Sequence, residues 1–233
     1  VNRLINMGLS EPLGVPVLGE GVPKIPHPKD PDWDGLDLPW MAYGYGVSLT
    51  PLQTLTFYNG IANNGVMVKP RFVDQIRSLG DVQNQKLPVE VLNASICSEE
   101  TLSKVQALLK GAVEKPWGTA RNIYNPEFAV SGKTGTCQVD YTKDEVQYVS
   151  SFVGYFPSEK PKYSCIVVVH RPNKRKGYYG NRVAAPVFKT IAHKLYSAIP
   201  KEASIDINRI HELASTQVTQ PVVSSTSFNQ SRP

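Results

Sequence analysis

The chain has 233 residues, 41% hydrophobic and 19% charged, and its 25 basic and 20 acidic side chains leave a net charge of +5. A chain of this length buries roughly 70–75% of the surface it would expose unfolded, so a substantial core is available, and its glycines and prolines lack the period of collagen. No apolar run approaches the roughly 18–20 residues of a membrane span, and the opening Val1-Asn2-Arg3-Leu4-Ile5-Asn6 has neither the features of a signal peptide nor an initiator Met. The start reads as that of a piece cut from something longer.

Charge and cysteine usage narrow the function classes. The one dense basic cluster, Arg171-Pro172-Asn173-Lys174-Arg175-Lys176, follows a strand-like run and ends in Gly177. That context predicts a solvated hairpin loop, because nucleic-acid binding calls for such a cluster on a helix or beside a stacking platform; no nucleic-acid partner is expected. Cys97, Cys137 and Cys165 are an odd number with no C-x-x-C pair, and the four histidines show no H-x-x-x-H spacing. Neither a disulfide framework nor a metal site is expected, and no cofactor motif is present.

Along the chain, residues 10–39 hold seven prolines and little periodicity, which predicts an irregular surface segment. Thr50-Pro51-Leu52-Gln53 combines an N-cap, a first-position proline and a capping-box Gln, and Asn63-Asn64-Gly65 supplies a stop. A helix over 51–62 is predicted, with Leu52, Leu55, Tyr58 and Ile61 as its apolar stripe. A second helix starts after Ser98, with Glu99 and Glu100 favoured by the helix dipole, and runs to Lys115-Pro116 with Leu102, Val105, Leu108, Leu109 and Ala112 inward. Phe128–Val139, Tyr148–Phe156 and Tyr163–His170 read as three strands, antiparallel because their links are short. A last helix from Pro186 carries Val187, Phe188, Ile191, Ala192 and Leu195 on one side and stops before Pro200, placed to cover one face of the sheet. From Ser215 onward eight of the 19 residues are Ser or Thr and none is acidic, which predicts a disordered end to a tail covering 201–233. The fold class is therefore α/β of the α+β type, antiparallel strands with flanking helices, in one domain over 1–200.

The segment Ser131-Gly132-Lys133-Thr134-Gly135-Thr136 is the candidate for chemistry. A phosphate loop would need glycine where Glu127 stands and a helix where strand continues. As a Lys-Thr-Gly strand at a sheet edge, Lys133 offers a compact positive charge and Thr134 and Thr136 offer two hydroxyls on one side for a carboxylate. Gly135 lets a ligand lie against the backbone. Apolar positions shift from Phe128 and Val130 to Cys137 and Val139, which predicts a bulge or strong twist near Gly132–Gly135. From these residues alone a flexible, glycine-containing strand with a surface lysine fits equally well.

The wider sequence resembles the C-terminal half of the transpeptidase domain of class B, cell-division-type penicillin-binding proteins. The resemblance runs in order through Tyr43-Gly44-Tyr45-Gly46-Val47-Ser48-Leu49-Thr50-Pro51-Leu52-Gln53, Ile61-Ala62-Asn63-Asn64-Gly65 and Gly118-Thr119-Ala120. It continues through Gly132–Thr136, Phe152-Val153-Gly154-Tyr155-Phe156-Pro157, Tyr178-Tyr179-Gly180 and Val183-Ala184-Ala185-Pro186-Val187-Phe188. The wording around Leu49–Asn59 is most similar to the Bacteroidetes branch. The resemblance implies a partial penicillin-binding-protein or serine β-lactamase-like fold and a serine D,D-transpeptidase that cross-links peptidoglycan stem peptides ending in D-Ala-D-Ala and is acylated by β-lactams. It assigns Lys133 to catalysis, Thr134, Gly135 and Thr136 to substrate binding, and the N–H of Thr136 to the oxyanion hole. It further implies a periplasmic location, a parent anchored in the inner membrane, and divisome partners.

The sequence departs from that family in two places. No serine has a lysine three residues on, and the Ser-x-Asn letters occur only at Ser227-Phe228-Asn229 in the tail, after the Lys-Thr-Gly strand. The nucleophile and its relay, with the N-terminal half of the domain, are absent from this chain, so the chain alone is expected to be inactive. Cys137 stands where the family has a small apolar residue, and a buried structural thiol is expected there. The competing functional class is a non-catalytic module that binds a peptide or protein through an exposed sheet edge.

Overall fold

The three strands expected between residues 128 and 170 form one antiparallel sheet in the computed structural model, which describes residues 1–76, 85–139 and 146–198. The expected tail over 201–233 lies outside the described residues. In chain order the elements are α1 (Asn2–Asn6), α2 (Asp37–Ala42), α3 (Pro51–Ala62), β1 (Met67–Val68), β2 (Gln75–Ile76), β3 (Gln85–Lys86), β4 (Val91–Asn93) and α4 (Glu99–Glu114). A 3-10 turn over Arg121–Ile123 precedes β5 (Ser131–Val139), β6 (Gln147–Phe156), β7 (Tyr163–His170), α5 (Gly180–Val183) and α6 (Ala185–Ala198). The sheet order is β5-β6-β7, while β1 pairs with β4 and β2 with β3 in two small ribbons.

Local chemistry explains the helix starts. Thr50 accepts from the Gln53 N–H at 3.1 Å while Gln53 Oε1 accepts from the Thr50 N–H at 2.8 Å, closing the predicted capping box. Ser98 Oγ caps α4 by accepting from the Thr101 N–H at 3.3 Å. Residues 10–36 form no helix, and the short α2 follows them.

The sheet is sandwiched because β6 is apolar on both faces. Phe152 and Phe156 enter one cluster with Val113, Ala120, Phe128, Val130, Phe188 and Ala192. Tyr155, on the opposite face, joins Ile61, Met67, Ile96, Leu102 and Leu109. Burying one large aromatic such as Phe152 or Phe188 contributes about 1.5–3 kcal/mol, so one cluster holds α6 to its face, the other holds α3 to the opposite face, and α4 contributes to both through Val113 and through Leu102 and Leu109.

Four sequence expectations are corrected. Residues 128–130 are not strand: Phe128 and Val130 are buried in the core from an irregular approach, and β5 begins at Ser131. No bulge interrupts β5, whose register with β6 runs unbroken from Ser131↔Tyr155 to Val139↔Gln147. The apolar parity shift marks instead the join between that buried approach and the strand. On α3 the most buried residues are Gln53, Thr56, Gly60 and Ile61 rather than the predicted leucines. Small and capping side chains permit the close approach there, Gly60 lying so near Met67 that a Cβ would sit 3.4 Å from the Met67 Cα. Leu52 and Leu55 line an open groove of about 380 Å³ with Val68, Pro70 and Val89. Leu108 on α4 is likewise exposed, while Gly111 and Val113 are buried.

Candidate active site

β5 is an edge strand, paired with β6 and with no other strand among the described residues. In an antiparallel ladder alternate residues turn both backbone groups to the same neighbour, and the Gln138 N–H leaves the sheet to donate to the Tyr45 hydroxyl at 3.1 Å. The N–H and C=O of Thr134 and Thr136 share that parity and face away from β6. The outer edge is bounded at one end by the buried Ser131 and Gly132 and at the other by Tyr45 on Gln138. Between them lies a short polar ledge over Lys133–Thr136.

Lys133 is exposed on this ledge, and no ion pair among the described residues involves it. Its Nζ folds along the edge to donate to the Thr134 carbonyl at 3.0 Å and lies 3.5 Å from Thr134 Oγ1. Thr134 Oγ1 is 3.3 Å from Thr119 Oγ1. Thr119 is brought there by a sharp return after α4. The Ala120 N–H bonds the Ala112 carbonyl at 2.9 Å, and a Cβ on Gly118 would stand 2.8 Å from the Gly111 carbonyl oxygen. Thr136 Oγ1 accepts from the Gly180 N–H at 3.0 Å. The ledge thus concentrates one ammonium and three hydroxyls, a donor set suited to a carboxylate.

Gly135 has a packing reason as well as the expected access for a ligand. A Cβ there would lie 2.5 Å from Ser151 Oγ, and a Cβ on Gly180 would lie 2.6 Å from the Gly135 carbonyl oxygen. Cys137 is half-buried, on the same strand parity as Lys133, where the sequence predicted a buried thiol. Behind the strand, Ser131 bonds Ser158 at 2.8 Å, and burial pushes the Tyr155 phenol up against the opposing effect of its bond to Ser131.

The aromatic segment leading to Gly180 is fixed to the sheet. Tyr178 stacks on Tyr148 at 4.1 Å and 17°, and Ser150 Oγ donates to the Tyr178 carbonyl. Tyr178 and Tyr179 share a hydroxyl contact of 3.2 Å, which pushes the Tyr179 phenol up. Lys133, Thr134, Gly135 and Thr136 are therefore together, as a single strand requires. Thr119, Gly180 and Tyr45 join them from three separate segments. Each of the three lies in a block that carried the family resemblance, yet nothing in its local spacing marked it as a contact of the strand.

Comparison with known proteins locates this architecture. Residues 6–193 match the family model described as the penicillin binding protein transpeptidase domain. The peptidoglycan D,D-transpeptidase FtsI of Buchnera aphidicola is 30% identical over 165 residues, 70% of this chain and 27% of that protein. Penicillin-binding protein H of Bacillus subtilis is 34% identical over 179 residues, 72% of this chain and 24% of its own length. The chain thus spans about a quarter of the curated relatives it matches. Among solved structures, penicillin-binding protein 3 of Mycobacterium tuberculosis aligns with a TM-score of 0.73 at 26% identity, over 84% of this chain and 45% of that one. That relative has been solved with ampicillin and with aztreonam.

Proposed function

Because the chain belongs to the penicillin-binding protein transpeptidase family, we propose that it forms the Lys-Thr-Gly wall of a peptidoglycan D,D-transpeptidase. The observation that carries this reading is the open outer edge of β5, where Lys133 Nζ and the hydroxyls of Thr134 and Thr136 surround outward-facing backbone groups. Lys133 is assigned to catalysis through its charge beside the reacting centre. Thr134 and Thr136 hold the terminal carboxylate of a D-Ala-D-Ala stem peptide or of a β-lactam. Gly135 keeps the ledge flat, and the Thr136 N–H donates to the developing oxyanion.

The nucleophilic serine lies on a segment that this sequence does not contain. Its Oγ adds to the carbonyl of the penultimate D-Ala and loses its proton to a neighbouring base. The C–N bond to the terminal D-Ala then breaks, and the amine leaves with a proton. An amine of a second strand attacks the ester, forms the cross-link and returns the serine. A β-lactam follows the first half alone, its ring C–N bond breaking and its nitrogen taking the proton. We assign residues 1–200 to this domain and 201–233 to a tail. The setting is the periplasm, with a membrane-anchored parent that works among divisome proteins.

Two measurements test the reading. This chain alone, incubated with a fluorescent penicillin, gives no labelled band on a denaturing gel; a heat-stable stoichiometric band would overturn the placement of the nucleophile, with Cys137 the first suspect. In the polypeptide that joins this chain to a Ser-x-x-Lys segment, Lys133→Ala lowers the second-order acylation rate at least roughly tenfold, the effect of about 1.4 kcal/mol at the transition state. Lys133→Arg does not restore it, because a planar guanidinium does not replace a compact ammonium. Wild-type acylation by folded Lys133→Ala removes this strand from the active site.

A further inference from the structure

Thr136 is exposed on the outer edge of β5, and a threonine hydroxyl free to rotate spreads its single proton over three staggered positions. Here one of its acceptor sites is taken: the Gly180 N–H donates to Thr136 Oγ1 at 3.0 Å. We infer that Gly180 is a positioning residue, whose N–H sets the Thr136 hydroxyl so that its proton is presented to the anionic group bound on the ledge. The inference rests on the transpeptidase reading, which supplies that anion as a substrate or β-lactam carboxylate.

Three features make the aim of this N–H fixed. Gly180 is buried, and a Cβ on it would stand 2.6 Å from the Gly135 oxygen and 3.3 Å from the Gly135 nitrogen, so residue 180 touches the strand backbone directly. Immediately before it, Tyr178 is held by stacking on Tyr148 and by the Ser150 hydroxyl on its carbonyl. Immediately after it, the Asn181 carbonyl accepts from Asn122 Nδ2 at 2.7 Å, and the Ala184 N–H closes on the Gly180 carbonyl at 3.0 Å. The N–H donor is held from both sides, while the threonine it meets lies on an exposed edge. Accepting from a backbone N–H leaves the hydroxyl its proton and one further acceptor site, and an anion is the ligand that uses the proton best.

The test is a double-mutant cycle in the polypeptide that carries both this chain and the nucleophile, read as second-order acylation rates with one carboxylate-bearing penicillin. Thr136→Ala lowers the rate roughly 10- to 150-fold, the range for one hydrogen bond to a charged group, and Thr136→Ser rescues most of that loss. Gly180→Ala lowers the rate in both backgrounds, because its Cβ meets the Gly135 backbone, but the loss is roughly threefold or more larger when Thr136 is present than when residue 136 is already alanine, because that part passes through the hydroxyl. Equal losses in both backgrounds would overturn the inference and leave Gly180 a packing residue. Wild-type acylation by Thr136→Ala would instead overturn the transpeptidase assignment of this strand.

A second measurement does not depend on how Gly180→Ala folds. In this chain, amide exchange of Gly180 accelerates roughly tenfold in Thr136→Ala while the Phe152 and Phe156 amides keep their protection, as expected when one acceptor is removed locally. Unchanged protection of Gly180 would overturn the pairing on which the inference stands.

Discussion

The two edges of the three-stranded sheet are held in place by different physics. β7 reads Tyr163-Ser164-Cys165-Ile166-Val167-Val168-Val169-His170, a run of residues that favour a pleated, half-buried surface, and Cys165, Val167 and Val169 pack on the Phe188 cluster. β5 reads Ser131-Gly132-Lys133-Thr134-Gly135-Thr136-Cys137-Gln138-Val139, with two glycines that each cost about 0.5–1 kcal/mol in a strand relative to alanine. It is held where it is because backbone meets backbone around it. A Cβ on Gly132 would lie 2.6 Å from Phe152 Cζ, one on Gly154 would lie 2.9 Å from the Gly132 Cα, and Gly180 closes on Gly135. One edge is made by side-chain preference and the other by the absence of side chains. The polar ledge occurs on the second, where packing leaves the outer surface to Lys133, Thr134 and Thr136.

Gly154→Val is the largest way to break this comparison. The atoms its Cβ would meet are the Ser131 and Gly132 backbone, which have no rotamer to yield, so we expect a loss of at least about 3 kcal/mol, the upper end for overpacking. Val167→Ala in β7 removes two methyl groups from a half-buried site and costs about 1–2 kcal/mol. Urea midpoints for the two variants settle the order. If Val167→Ala is the more damaging, the claim that close backbone approach builds the β5 side is wrong.

A smaller effect belongs to the turn between β6 and β7. Glu159 there pairs with Lys110 on α4 at 2.6 Å, and Glu114 stands 3.6 Å from the same ammonium. The bond to Lys110 holds the Glu159 carboxyl below its ordinary 4.5, and the bond to Glu159 holds the Lys110 ammonium above its ordinary 10.5. The carboxylate's contribution is complete above its unfolded value and fades as pH falls through the lowered folded one. The ammonium's contribution is complete below 10.5 and fades as pH rises through the raised folded one. Both side chains are well exposed, so Glu159→Gln costs only about 0.2–1 kcal/mol near neutrality. The difference from wild type should shrink in 1 M salt, where the screening length is about 3 Å, and as pH falls from 4.5 through the lowered carboxyl value. A difference that survives both conditions would show that Glu159 acts through packing.

Much of the fold was legible because its signals were local. The capping box at Thr50, the Ser98 cap and the β-branched run of β7 each name their own element, and α3, α4 and β7 lie where those residues predict. The start of β5 was not legible: Phe128 and Val130 have strand-like character, and only the tertiary core turns them into a buried irregular approach. The same limit applies to the exposed Leu108, since helical spacing marks an apolar stripe without saying how much of it finds a partner. At the candidate site, Lys133 to Thr136 are neighbours in sequence and were legible as a group. Thr119, Tyr45 and Gly180 reach that strand from 15, 93 and 44 residues away, through contacts that no periodicity encodes.

The smallest expected change in stability sharpens the comparison most. Lys133 stands on the edge that packing leaves open, exposed, with its Nζ on the carbonyl of the next residue in the chain. Lys133→Ala removes no buried surface, leaves no buried polar group and lowers the net charge from +5 to +4. Its thermal stability should therefore stay within about 0.5 kcal/mol of wild type, the usual range for surface substitutions. Set beside a fall of roughly tenfold or more in acylation, that result would separate the two duties of β5, with the glycines and Thr136 engaged by the fold and Lys133 answerable to the ligand alone. A loss approaching that of Val167→Ala would mean that the lysine stem also braces the strand, and the acylation defect could then no longer be assigned to its charge.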